Sequence, residues 1–251
     1  MTEEAGAVWG EPGPVDVAAV AAHRDDVELT CGGTLIRAAD RGHRTGVIDL
    51  TRGETGTRGS ADRRAEEAAR AAEVMGLDVR MNASLPDAGV TNDRGSRERL
   101  VRLLRTLRPR VVILPWRRGR HPDHREAAEL GRDACYLAGL EKYATGEAPA
   151  HRPQKVIHAL AYREDPVKPT FVVDVTEQFD RKMEAIRCYA SQFDGVESAG
   201  EIFPTGQDLY GRVETQGRHY GSLIRRPYGE PFWTEETVRV DDVAELGVRS
   251  M

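Results

Sequence analysis

Aromatic residues are scarce, at 6% of 251 positions, and cysteine is scarcer still, with three. Cys31, Cys135 and Cys188 are odd in number and widely spaced, so they offer no disulfide framework and suit a reducing cytoplasm. Each falls in a helical pattern as a packing residue. No apolar run approaches the roughly 20 residues that a bilayer span needs, which excludes a membrane partner. An excess of basic charge is missing too. Lys and Arg number 36 against 41 acids, the net charge is −5, and the two signs are interspersed. No basic stripe offers itself to nucleic acid. Met1 to Pro14 lacks the charged-then-apolar order of a signal peptide; acidic and rich in Gly and Pro, it reads as a flexible leader. Repeats and low-complexity segments are absent.

What is present fits a soluble globular protein: 39% hydrophobic and 31% charged residues. The length suffices for one α/β domain over residues 15–251, with an irregular segment from about 226. The chain is organised around Val15 to Leu35. Its apolar run from Val17 to Ala22 predicts a buried strand. His23, Asp25 and Asp26 follow within four residues. Val27, Cys31, Leu35 and Ala38 then predict a helix by their spacing. Strand, acidic turn, helix is the order that places polar groups at the carboxyl end of a central strand, where α/β sites form. A histidine and two aspartates in one turn call for neutralisation, which a divalent cation supplies. Asp26 as a simple helix cap and Asp25 as a solvated loop residue are the plainer alternatives.

Strands are predicted at Thr45 to Leu50, Val79 to Leu85 and Val111 to Pro115. Helices are predicted at Ala61 to Met75, stopped by Gly76, and at Arg97 to Leu107. This alternation argues for a mostly parallel sheet with helices on both faces, a three-layer Rossmann-like α/β fold. The loop from Thr51 to Gly59 carries three glycines without the dinucleotide-binding spacing. Its Arg58 is a candidate for holding an anionic substrate; Arg52 reads as solvated. Asn92 and Asp93 lie in the loop after the third strand. The fourth strand leads to His121-Pro122-Asp123-His124 and a helix from Arg125 to Leu140. Two strands thus end in His and Asp clusters at one edge of the sheet, with Asp123 placed to orient a neighbouring imidazole. His43, His151, His158 and His219 lack such context. Lys155 to Tyr162 and Thr170 to Val175 are two further strands. Thr176 is the expected N-cap of a helix from Glu177 to Tyr189, and Gln207 to Ile224 is partly helical.

The residues Ala22-His23-Arg24-Asp25-Asp26-Val27-Glu28, followed by Gly32-Gly33-Thr34, resemble the A-H-P-D-D-x-E signature of the LmbE-like (PIG-L) zinc-dependent N-deacetylases. His121-Pro122-Asp123-His124 resembles that family's second motif. The Thr51 to Gly59 loop, Cys188 to Phe193, Tyr220 to Ile224 and Tyr228 to Phe232 look most like the bacillithiol-pathway branch. That branch removes acetate from N-acetylglucosaminyl-malate. The resemblance implies the LmbE-like fold and one Zn2+ per chain, held by His23, Asp26 and His124; iron(II) shares such ligands. It implies Asp25 as general base, His121 facing the amide oxygen, and Asp123 tuning His121. Arg58, Asn92 and Asp93 are the candidates for the sugar and its anionic aglycone. Mycothiol-pathway relatives carry a tyrosine near the second motif, where Gly119 and Arg120 stand here. A cytoplasmic homo-oligomer is implied, relatives often being hexamers.

One departure stands out. The family's motif proline is Arg24, which forgoes the stiffness that proline gives the preceding residue. Three readings compete: the turn is held by other means, Arg24 binds a substrate carboxylate, or it weakens metal binding. Rival functions are the same hydrolase on another N-acetylglucosamine conjugate, a two-metal phosphoesterase, and a non-catalytic metal-binding homologue.

Overall fold

Alternate residues of the strand Val17–Ala21 face opposite sides of a sheet, and both sides are apolar. Ala18 and Val20 join one core cluster, Ala19 and Ala21 the other. A strand buried on both faces belongs in a sheet interior. A computed structural model describes residues 6–143, 146, 148–160, 167–193 and 208–248. In chain order its elements are β1 (Gly6–Gly10), β2 (Val17–Ala21), α1 (Asp26–Thr30), α2 (Gly32–Asp40), β3 (Thr45–Thr51) and α3 (Ala61–Met75). Then come β4 (Val79–Leu85), α4 (Arg94–Leu107), β5 (Val111–Leu114), α5 (Pro122–Ala138), β6 (Lys155–Ala159) and β7 (Phe171–Asp174). The last are α6 (Phe179–Arg187), α7 (Ala190–Phe193), α8 (Leu209–Leu223) and β8 (Gly229–Trp233).

The strands form one sheet in the order β1-β4-β3-β2-β5-β6-β8-β7. The run from β4 to β6 is parallel; β1 pairs antiparallel with β4, and β8 antiparallel with both β6 and β7. Helices α4 and α5 cover one face through Leu100, Leu104, Ala127 and Leu130. Helices α1, α2, α3 and α6 cover the other through Val27, Leu35, Ala71 and Ala185. The expected three-layer, mostly parallel α/β architecture is therefore present. From β2 the chain steps outward to β3 and β4, then returns to β5 on the other side of β2. The β2–β5 boundary is thus the topological switch point, where the carboxyl ends of two strands leave a crevice.

The structure differs from the sequence expectations in several places. Gly6–Gly10, inside the supposed leader, is an edge strand, and the Trp9 indole donates to the Leu77 carbonyl at 3.1 Å. The tail beyond 226, expected to be irregular, contains β8, which is inserted between β6 and β7. The helix expected across Val27 to Ala38 breaks at Cys31 and restarts at Gly32. The Glu230 carboxylate from β8 explains the restart, accepting the Gly33 and Thr34 N–H groups at 2.9 and 2.7 Å. A Cβ at Gly33 would stand 2.9 Å from the Val175 side chain and 3.0 Å from this carboxylate, so the approach needs glycine. Thr176 caps no helix. Its hydroxyl donates to Asp174 at 2.7 Å, and a 3-10 turn over Thr176–Gln178 precedes α6. The expected strand from Lys155 is described to Ala159; residues 161–166 lie outside the described residues, as does Gln207. No helix among the described residues is long and apolar enough to cross a membrane.

Candidate active site and metal centre

Three strand ends meet at the crevice. The turn after β2 delivers His23, Asp25 and Asp26. The loop after β5 delivers His121, Asp123 and His124 at the start of α5. The turn after β4 delivers Asp87. His23 Nδ1 and His124 Nε2 stand 3.2 Å apart and share one carboxylate, with Asp26 at 3.4 Å from the first and 3.2 Å from the second. Two imidazole nitrogens and a carboxylate oxygen within 4.8 Å of one another are a donor set for a divalent cation. Of the described residues, His23, His121 and Asp123 form a second such group, which shares His23.

The other edge of His23 is held by carboxylates. Its Nε2 lies 3.2 Å from Asp87 and 3.5 Å from Asp123. A proton on Nε2 directed at these acids leaves the Nδ1 lone pair for a cation, the usual way an outer carboxylate sets a ligand's tautomer. Asp87 is itself fixed by the Thr55 N–H at 2.9 Å and the Thr55 hydroxyl at 2.6 Å. Asp123 accepts the Ala88 and Val90 N–H groups at 2.8 and 3.3 Å. The Asp123 carboxylate therefore lies against His23 at 3.5 Å, and within 4.8 Å of a ring nitrogen of His121, the partner expected from the motif. The Asp123 backbone N–H donates to His121 Nδ1 at 3.2 Å, so that His121 N-caps α5. With Nδ1 accepting, neutral His121 carries its proton on Nε2.

Burial opposes charge on both His23 and His124, yet Asp26 raises the pKa of each. Burial likewise opposes charge on Asp26, but His124 and His23 hold it well below the usual carboxylate range. Burial, then the charge on Asp26, raises Asp25. Burial, then the nearby His23 and His124, lowers His121. Two adjacent carboxylates are thus driven apart: Asp26 is the anion and Asp25 the better proton acceptor.

Beneath the turn lies a buried ionic network. Arg80, fully buried in β4, donates to both Asp49 oxygens at 2.7 and 2.9 Å, to Glu28 at 2.6 Å, to the Ala68 carbonyl at 3.5 Å and to the Arg24 carbonyl. Tyr189 also donates to the Arg24 carbonyl. The Arg24 side chain is buried, and its guanidinium donates to the Ala61 carbonyl at 2.5 Å. Of the three readings of Arg24, this geometry favours a turn held by neighbours.

A cavity of about 170 Å³ opens beside the cluster. Asp26, exposed His121 and His124 line it, with Trp116, exposed Arg120, and Ala21, Val27, Ile113 and Ala159, the last four each at most 2% exposed.

The remaining candidates lie elsewhere. Asp93 caps α4, accepting the Ser96 N–H at 2.9 Å, and Asn92 bonds Asp133 at 2.9 Å and Arg97 at 2.8 Å. Neither lines the cavity. The Arg58 carbonyl accepts from Gln192 at 2.9 Å. Asp87, Arg80 and Tyr189 escaped the sequence reading. An arginine within the predicted strand Val79 to Leu85 was the available signal for the network, and an aspartate at a strand's carboxyl end was the signal for Asp87.

The family of the GlcNAc-PI de-N-acetylases, PIG-L, matches residues 18–135, a span that includes both His and Asp clusters. The diacetylchitobiose deacetylase of Thermococcus kodakarensis is 31% identical over 218 residues, 83% of this chain and 78% of that one. The 4-oxalmesaconate hydratase of Pseudomonas putida is 28% identical over 69% of this chain and 72% of its own. Among solved structures, the conserved protein TT1542 from Thermus thermophilus is 37% identical, with a TM-score of 0.80 over 90% of this chain and 97% of that one. The N,N'-diacetylchitobiose deacetylase from Pyrococcus horikoshii is 25% identical, with a TM-score of 0.73 over 90% and 83%.

Proposed function

The chain belongs to the PIG-L family of de-N-acetylases, and on that premise we propose that it hydrolyses the amide of an N-acetylated glucosaminide. The observation that carries this reading is the apposition of His23, Asp26 and His124 with Asp25 beside them at the switch-point crevice. Two imidazoles and one carboxylate suit zinc, and a cation held there supplies the Lewis acid that polarises the amide carbonyl and lowers the pKa of water. Asp25 takes the proton from the attacking water, a task favoured by its raised pKa. His121 donates its Nε2 proton as a hydrogen bond to the oxyanion that develops on the carbonyl. The C–N bond then breaks, Asp25 returns its proton to the leaving nitrogen, and a carboxylate and an amine result. Arg80 and Tyr189 hold the His23 turn in place throughout.

The finer assignment is N-acetylglucosaminyl-malate as substrate, with Arg58 meeting the malate carboxylates through its planar fork. It is supported by the Thr51 to Gly59 loop and the Cys188 to Phe193 segment. Amine release by zinc-loaded protein from this conjugate and from free N-acetylglucosamine, each against a chelator-treated control, tests both levels. Chelator-sensitive release from the conjugate alone supports the full assignment; equal release from both keeps the reaction and removes the malate specificity. Since one relative is a hydratase, absence of amine from either substrate rejects the deacetylase reading itself.

A further inference from the structure

We propose that the cavity beside the cluster is an acyl pocket built for N-acyl groups longer than acetyl, a statement that rests on the amide-hydrolase reading above. An amide carbonyl at the His23, Asp26 and His124 cluster has two substituents, and only one can enter the cavity. The sugar is the poorer fit. Apart from the cluster's own side chains, the Trp116 indole and the exposed Arg120, the lining is mostly apolar, with Ala21, Val27, Ile113 and Ala159 buried in it. The one hydroxyl in the lining, on Thr30, already donates to the Asp26 carbonyl at 2.8 Å. Burial holds the Cys31 thiol protonated, so it adds no charge. Polar groups buried without partners are unfavourable, so the cavity selects the acyl side.

Size decides the length. An acetyl group presents one methyl carbon, whereas the cavity measures about 170 Å³. An apolar cavity of about 150 Å³ holds a benzene-sized occupant. A chain of about four to six carbons therefore fits where acetyl leaves most of the space vacant. Two alanines, Ala21 on β2 and Ala159 on β6 with β5 between them, leave this room.

The test is a series of methyl glucosaminides bearing N-acetyl, N-butanoyl and N-hexanoyl groups, offered to the zinc-loaded protein with amine release as readout. Complete burial of each added methylene is worth about a fourfold gain in kcat/KM, so butanoyl is expected to exceed acetyl by about fifteenfold. Ala159→Leu, which adds bulk to the buried part of the lining, is expected to reverse the hexanoyl-to-acetyl ratio. The wild-type series decides the matter even where that variant does not fold. Hydrolysis of acetyl with the longer amides below a tenth of its rate overturns the pocket and leaves the deacetylase standing. Where no amide is cleaved, the hydrolase reading fails, and calorimetric titration with hexanoate and acetate judges the pocket by itself. Hexanoate binding at least tenfold tighter keeps it; equal binding removes it.

Discussion

The hydroxyl of Tyr189 donates to the carbonyl oxygen of Arg24, 165 residues away in the chain. Arg80 donates to the same oxygen from β4. Together they clamp the peptide that follows Arg24, the residue that stands where the resembled motif has proline. Two hydrogen bonds thus hold this turn. Tyr189→Phe removes one of them and is expected to destabilise the fold by about 1–2 kcal/mol and to weaken metal binding and turnover in parallel. Adding Arg24→Pro to that variant restores part of the turnover if the bond acts by stiffening the turn. Urea unfolding and metal titration of the single and double variants provide the check; a defect untouched by proline would refute the stiffening role.

Arg80 is expected to dominate stability. It is paired with Asp49 and Glu28 in a fully buried setting, and removal of one partner from such a group leaves charge without compensation. Arg80→Met is expected to cost about 3–5 kcal/mol, measured as a shift in the denaturation midpoint. A loss below about 1 kcal/mol, the scale of an exposed pair, would mean that the network is not holding the layers together.

Asp25 and Asp26 are neighbours with opposite duties. Asp26 touches both imidazoles, at 3.4 and 3.2 Å, whereas Asp25 touches neither. Asp25→Ala is expected to abolish turnover while retaining one bound metal, and Asp26→Ala to lose the metal. Metal content by elemental analysis separates them. Equal metal loss in both variants contradicts the division.

Asp87 is expected to matter for metal affinity although it is absent from either motif. It orients His23 through Nε2. Loss of an outer-sphere carboxylate typically lowers metal affinity about 10- to 100-fold, so Asp87→Ala should fall in that range by chelator competition. An unchanged affinity would assign the orientation of His23 to Asp123 alone.

Alkaline pH should weaken the fold through its buried thiols. Burial pushes the Cys135 thiol up to about 12. The folded chain keeps that proton while the unfolded chain releases it near the ordinary value of about 8.5. Stability is therefore intact below about pH 8.5 and declines as pH rises towards 12, by about 1.4 kcal/mol per pH unit for one thiol. Cys135→Ala should reduce that slope between pH 8.5 and 9.5 in urea titrations; an identical slope places the effect on other groups.

The central strands and helices were legible because their apolar residues recur at the period of each element. Ala61–Met75 and Val79–Leu85 end where their sequence signals place them. The site was legible for the same local reason, since each motif packs its His and Asp residues within four positions. What escaped is non-local. β8 carries Gly229 and Pro231, which read as breakers, and becomes a strand because neighbours on both sides supply its ladder. β1 is short and Gly-rich, and only the free edge of β4 gives it a partner. What holds the turn could not be read from position 24 alone, because the donors to its carbonyl lie at positions 80 and 189. Asn92 and Asp93 read as ligand-binding loop residues, and the contacts the sequence did not show are the α4 N-terminus at Asp93 and the Asp133 and Arg97 side chains at Asn92.

The insertion of β8 between β6 and β7 sets an order on synthesis. Its Glu230 is the carboxylate for buried Lys182, at 2.6 Å, and the acceptor for the first N–H groups of α2. A chain emerging from the ribosome has β2, α2 and α6 available long before residue 230. Until then the ammonium of Lys182 lacks its counter-charge and the helix behind the catalytic turn lacks its cap. The amino-terminal motif is thus completed by a strand made 197 residues after Gly33, and the crevice takes its final form only once Glu230 has emerged.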